Sequence, residues 1–143
     1  PPRFEAELTV KSSFASEVML VDDDRELVAV IEQVGSLIGM SVTSFVHGQD
    51  AIDRFAEVQP KVVLIDLGLR GFDVAKGLGG LEVGRRIRDL PGGESVVLVL
   101  ISGVVPESVR TMAEEIGFAK VIEKPFDLPL LVEFFQKSQA LQR

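Results

Sequence analysis

Asp22 and Asp23, Asp66, Ser102 and Lys124 each stand at the end of a short apolar run, over residues 18–21, 62–65, 96–101 and 121–123. Adjacent carboxylates are costly unless a cation neutralises them, and hard oxygen donors with nearby water are what Mg²⁺ prefers. Asp23 and Asp66 suit direct ligation, Asp22 ligation through water, and the backbone carbonyl of Gly68 a further ligand. A cation there would lessen the repulsion between Asp66 and an incoming phosphoryl group, so Asp66 is placed to attack phosphorus and form an acyl phosphate. Ser102 by its hydroxyl and Lys124 by its charge would hold the phosphoryl oxygens, and Gly103 leaves room for access. Taken singly, Asp24 reads as a helix cap, Lys124 as a surface ion pair and Ser102 as a turn residue. Their joint placement at four strand ends favours a magnesium-dependent phosphoryl-transfer site.

These residues converge only if the apolar runs are neighbouring strands. Runs of about five or six residues rich in Val, Ile and Leu, separated by helix-length amphipathic stretches, read as buried parallel strands whose C-termini line one edge of an open sheet. The spacing predicts strands near 17–22, 41–46, 61–66, 96–101 and 118–122, and helices near 25–39, 48–58, 80–90, 106–116 and 128–141. Asp24 suits the N-cap of the first helix, Pro106 the first turn of the fourth, and Asp127 with Pro129 the start of the fifth. Leu128, Leu131, Val132 and Phe135 form the apolar stripe of that last helix.

Two segments fall outside the repeat. Residues 1–16 begin with two prolines and no methionine, which suggests a processed chain or a fragment of a longer one. Within them Phe4, Ala6, Leu8 and Val10 alternate with polar residues, the period of a half-buried strand and so a candidate extra N-terminal edge strand. The stretch from Gly68 to Gly84 is glycine-rich, and Gly77, Gly79 and Gly80 lack the offsets of a dinucleotide loop, so it reads as a flexible loop.

Composition bounds the function. A chain of 143 residues, 46% hydrophobic, makes one domain with a proper core. With no cysteine there is no disulfide, thiol nucleophile or thiolate metal site, which fits a reducing cytoplasm. No stretch approaches the roughly 20 apolar residues of a membrane span, and no signal-peptide pattern is present, so a soluble cytoplasmic domain is expected. A net charge of −7 argues against direct nucleic-acid binding by this chain.

Val21-Asp22-Asp23, Leu64-Ile65-Asp66, Ser102-Gly103 and Lys124-Pro125-Phe126 together resemble the receiver domain of two-component response regulators, over about residues 17–141. The resemblance implies a flavodoxin-like, doubly wound α/β sandwich with a five-stranded parallel sheet in the order 2-1-3-4-5. It further implies that Asp66 accepts a phosphoryl group from a histidine kinase or histidine phosphotransfer protein, with Mg²⁺ required, and that Lys124-Pro125 is cis. On this reading residues 1–16 are an N-terminal extension and 17–143 the receiver. The face of the fourth helix, fifth strand and fifth helix would be the output surface, a site for a homodimer; its Arg110, Glu114, Glu115, Lys120 and Glu133 would either pair across a two-fold axis or form a solvated surface. The chain would be a single-domain regulator or one receiver of a larger protein.

Three features depart from the family pattern. Arg70 replaces a proline after the phosphoacceptor, and residues 74–79 are an inserted loop beside the site. Val121 stands where the family has an aromatic switch residue, which removes the ring used to couple the phosphosite to the output face. Gly68 and Val104 flank the expected water path with no polar side chain, so slow self-dephosphorylation is expected. Two rival readings share some of the residues. A pseudo-receiver, an interaction module that is never phosphorylated, would usually lack one of the acids or the lysine. A phosphatase of the haloacid-dehalogenase type would use Asp22 as nucleophile and Asp24 as acid, but needs a second acidic pair where only Asp127 and Glu133 follow.

Overall fold

The structure, a computed structural model, describes residues 17–72, 77–125 and 127–141. The candidate strand in residues 1–16, the first half of the inserted loop (74–76), and Phe126 lie outside the described residues. Strands β1 (Val18–Val21), β2 (Val42–Phe45), β3 (Val62–Asp66), β4 (Val97–Ser102) and β5 (Phe118–Glu123) alternate with helices α1 (Arg25–Ile38), α2 (Gly48–Val58), α3 (Gly79–Arg88), α4 (Glu107–Ile116) and α5 (Leu128–Leu141). All pairings are parallel and the order is β2-β1-β3-β4-β5, as expected.

Apolar residues run almost without interruption along β1, β3 and β4 because both faces of these strands are covered. Val18, Leu20, Val62, Leu64, Val99 and Ile101 meet Ile31 of α1 and Leu131 and Phe135 of α5. Their alternating neighbours Met19, Val21, Val63, Ile65, Leu98 and Leu100 meet α2, α3 and α4 through Phe55, Leu81, Val83, Ile87, Val109 and Ala113. Full burial of Phe135 contributes roughly 2–3 kcal/mol. The stripe expected along α5 is narrower than the periodicity suggested: Leu131 and Phe135 are buried, whereas Leu128, at the helix start, faces outward.

β1 lies between β2 and β3, so the chain crosses from one face of the sheet to the other at this strand. The C-terminal ends of β1 and β3 thereby open onto a crevice. Val21 is in register with Ile65 and Asp66 with Ile101, while Ser102 pairs with Glu123, immediately before Lys124. Register alone brings all four sequence positions to one edge.

Two start signals differ from expectation. Pro106 is the N-cap of α4 rather than a residue of its first turn, its carbonyl accepting from the amides of Val109 and Arg110. The glycine-rich stretch is only partly loop, because α3 begins at Gly79. A Cβ on Gly79 would lie 1.8 Å from the Leu69 carbonyl oxygen, and one on Gly80 2.2 Å from that of Asp66. These glycines let the start of α3 press against the backbone that carries Asp66, a close approach and not flexibility.

Candidate functional site

Asp22 is completely buried, the one fully buried charged side chain among the described residues. Its Oδ1 accepts from the Asp24 amide at 2.9 Å and its Oδ2 from Lys124 Nζ at 3.1 Å. Lys124 Nζ also donates to Asp66 Oδ1 at 3.1 Å, so one ammonium serves two carboxylates. The Lys124 amide in turn donates to the Ser102 carbonyl at 2.8 Å, which fixes where the lysine leaves the sheet. The peptide bond from Lys124 to Pro125 is cis, as the resemblance implied.

Sharing one cation leaves a charge imbalance. Burial pushes the Asp66 carboxyl above its ordinary value, the charge of Asp22 pushes further, and Lys124 only partly offsets them; Asp23 adds to the rise. For Lys124 burial acts downward, but Asp66 and then Asp22 outweigh it and hold the ammonium above the ordinary lysine range.

Asp23 completes the cluster from the open side. Oxygen atoms of Asp22, Asp23 and Asp66 lie within 4.8 Å of one another. Three hard carboxylate oxygens at this spacing, two of them sharing a single lysine, have the donor chemistry of a Mg²⁺ site. Gly68 sits beside them: a Cβ there would be 3.6 Å from Asp66 Oδ2, so this oxygen faces a position with no side chain. Asp24 is a cap, as expected, its Oδ1 accepting from the amides of Glu26 and Leu27 at 3.1 and 3.2 Å. That role and the burial of Asp22 disfavour the phosphatase reading, in which these two would be acid and nucleophile.

Ser102 reaches the same edge, but its hydroxyl donates to the Val104 carbonyl at 3.0 Å. The space beside Gly103 is open. Sequence reasoning treated Arg70 only as a departure from a pattern; in the structure its Nε lies 3.8 Å from Asp23 Oδ2. No spacing rule links residues 23 and 70, so only the fold could reveal the pair. On the expected output face, Arg110 pairs with Glu123 at 2.7 Å, Glu133 with Lys137 at 3.0 Å, and Lys120 lies over the Phe134 ring. Arg110, Lys120 and Glu133 are therefore engaged within the chain.

Among the described residues no helix is long and apolar enough to cross a membrane. The family model for the response regulator receiver domain matches residues 18–136. The C4-dicarboxylate transport transcriptional regulatory protein DctD of Rhizobium meliloti (strain 1021) is 29% identical over 131 residues, covering 92% of this chain and 27% of that protein. The uncharacterized transcriptional regulatory protein YkoG of Bacillus subtilis (strain 168) is 30% identical over 115 residues, covering 80% of this chain and 47% of that protein. The chain thus spans between about a quarter and a half of these curated relatives. The crystal structure of chemotaxis protein CheY4 of Vibrio cholerae superposes with a TM-score of 0.73 at 16% identity, over 87% of this chain and 98% of that one, a likeness of fold. With the match extending over most of its length, the chain belongs to the response regulator receiver domain family, the signalling domain of two-component response regulators.

Proposed function

We propose that Asp66 is the phosphoacceptor of this receiver, taking a phosphoryl group from a phosphohistidine of a histidine kinase or histidine phosphotransfer protein. The observation that carries this reading is the division of labour on Asp66: Oδ1 is held by Lys124, while Oδ2 faces the side-chain-free position at Gly68. Oδ2 attacks phosphorus as the bond from phosphorus to the donor imidazole breaks, and the imidazole nitrogen leaves with the electron pair. Lys124, already within hydrogen-bond distance of Asp66, meets the phosphoryl oxygens as charge develops on them. Ser102 joins by turning its hydroxyl from the Val104 carbonyl toward the phosphoryl group. Asp23 and Asp66 directly, Asp22 through water and the Gly68 carbonyl would hold Mg²⁺, which when bound supplies charge neutralisation for the approach of two anions. The domain performs this transfer itself, residues 17–143 being the receiver and 1–16 an extension.

Phosphorylation then alters the face formed by α4, β5 and α5, the surface for a downstream partner or a second copy, by a route that does not use the aromatic ring replaced by Val121. Hydrolysis of the acyl phosphate is slow, because Gly68 offers no side chain to orient water and Val104 is apolar and largely exposed. A phosphoryl lifetime of seconds in Mg²⁺ would contradict that.

The test is intact mass after incubation with Mg²⁺ and acetyl phosphate, with beryllofluoride binding in parallel. A gain of one phosphoryl group by the wild type and none by Asp66→Asn is expected. No gain and no beryllofluoride binding would instead make the chain a pseudo-receiver.

A further inference from the structure

We infer that Arg70 is a positioning residue of the acid cluster, holding the open-side carboxylate of Asp23 and competing there with the divalent cation. It thereby sets the cation concentration at which the site fills. The inference rests on the reading of Asp22, Asp23 and Asp66 as a Mg²⁺ site and adds a residue to it.

Among the described residues the cluster has three carboxylates and two nearby cations, which divide them unequally. Lys124 sits between Asp22 and Asp66, hydrogen-bonded to both. Among the described residues Arg70 pairs with Asp23, at a separation of 3.8 Å that is too long for a hydrogen bond and leaves a charge pair. The Arg70 side chain is 92% exposed and that of Asp23 40% exposed, so water and salt screen the pair. A pair of this kind exchanges readily.

The backbone under Arg70 is nevertheless well fixed. Leu67 and Leu69 before it are buried. The Leu67 amide donates to Ile101 and its carbonyl accepts from Gly80 at 2.7 Å. Phe72 after it packs against the core cluster beside Gly48, with the Arg86 guanidinium over its ring. The loop holds Arg70 at the mouth of the site while its side chain remains free to swing.

A guanidinium at the Asp23 carboxylate opposes cation binding in two ways. It must be displaced from an oxygen the cation would use, and it repels a dication placed a few ångströms away. Through water and salt the sum corresponds to a change of about threefold to tenfold in affinity.

The experiment is a Mg²⁺ titration by calorimetry at low ionic strength, because this chain has neither tryptophan nor tyrosine to report binding by fluorescence. Arg70→Gln is expected to bind Mg²⁺ about threefold to tenfold more tightly than the wild type, with the difference shrinking as salt is added. Arg70→Lys, which keeps the charge, should stay within about twofold of the wild type. Arg54→Gln removes an equal charge from an exposed site on α2 and should leave the affinity unchanged. Equal affinities for wild type and Arg70→Gln would overturn the role of Arg70 while leaving the metal site standing. Equal tightening by Arg54→Gln would overturn it as well, reducing the effect to net charge. Absence of Mg²⁺ binding by the wild type would overturn both this inference and the metal reading beneath it.

Discussion

On the Lys124 side of the pocket, Asp22 and Asp66 are locked to one ammonium and Asp22 has no exposure at all. On the Arg70 side, Asp23 is partly exposed and its counter-charge stands off at 3.8 Å. The same residue type thus has two jobs a few ångströms apart. The buried half is assembled before any ligand arrives and belongs to the stability of the fold. The open half is weakly held, so it can trade its partner for a cation. A site that must bind, react and release needs both: a rigid frame to aim the nucleophile and an exchangeable rim to admit charge.

The sharpest way to break this comparison is to remove one charge from each half. Lys124→Met leaves buried Asp22 without its counter-ion, and we expect a loss of about 2–4 kcal/mol in chemical denaturation at neutral pH. Asp23→Asn, with an exposed and screened partner, should change stability by less than about 0.5 kcal/mol. Equal losses in the two variants would erase the distinction. Next in size is Gly80→Ala, whose methyl group would be driven into the backbone of Asp66 and Leu67. Overpacking against main chain predicts a cost of about 1–3 kcal/mol together with slower labelling by acetyl phosphate, since the nucleophile itself is displaced. Asp24→Ala removes the acceptor for two amides of α1 and should cost about 1 kcal/mol without slowing labelling, which separates a cap beside the site from a residue in it.

The pH dependence is a matter of sign. Asp66 is held above its ordinary value of 3.8, so the folded protein binds this proton more tightly than the unfolded chain. Its ionisation therefore imposes a penalty, absent below the ordinary value, that grows as pH rises from there to the folded value. Asp66→Asn, which cannot ionise, should melt higher than the wild type at neutral pH without divalent cations, and the gap should close in acid. Lys124, also raised, contributes stability that is fully present below 10.5 and lost as pH rises through its folded value. A wild type more stable than Asp66→Asn at neutral pH would show that Lys124 fully compensates both acids.

Much of this was legible in the chain because α/β architecture turns sequence order into spatial order. Asp22, Asp66, Ser102 and Lys124 needed only parallel strands in register to meet. What stayed hidden depended on contacts with no sequence period. Gly79 and Gly80 look like loop glycines because a close helix-to-backbone approach and a flexible turn call for the same residue. Leu128 fits the α5 stripe by spacing but precedes the part of the helix that lies on the sheet. Ser102 stands at the expected edge, yet its rotamer, turned to Val104, follows from local backbone. Arg70 and Asp23 meet only through the loop after β3.

The most direct test of the central claim is to locate the modified carboxylate. Labelling with acetyl phosphate and Mg²⁺, reduction of the acyl phosphate with borohydride and peptide mapping should find homoserine at position 66 and aspartate retained at 22 and 23. Reduction at Asp22 or Asp23 would contradict the account, because the carboxylates assigned to frame and rim would then be the ones that react.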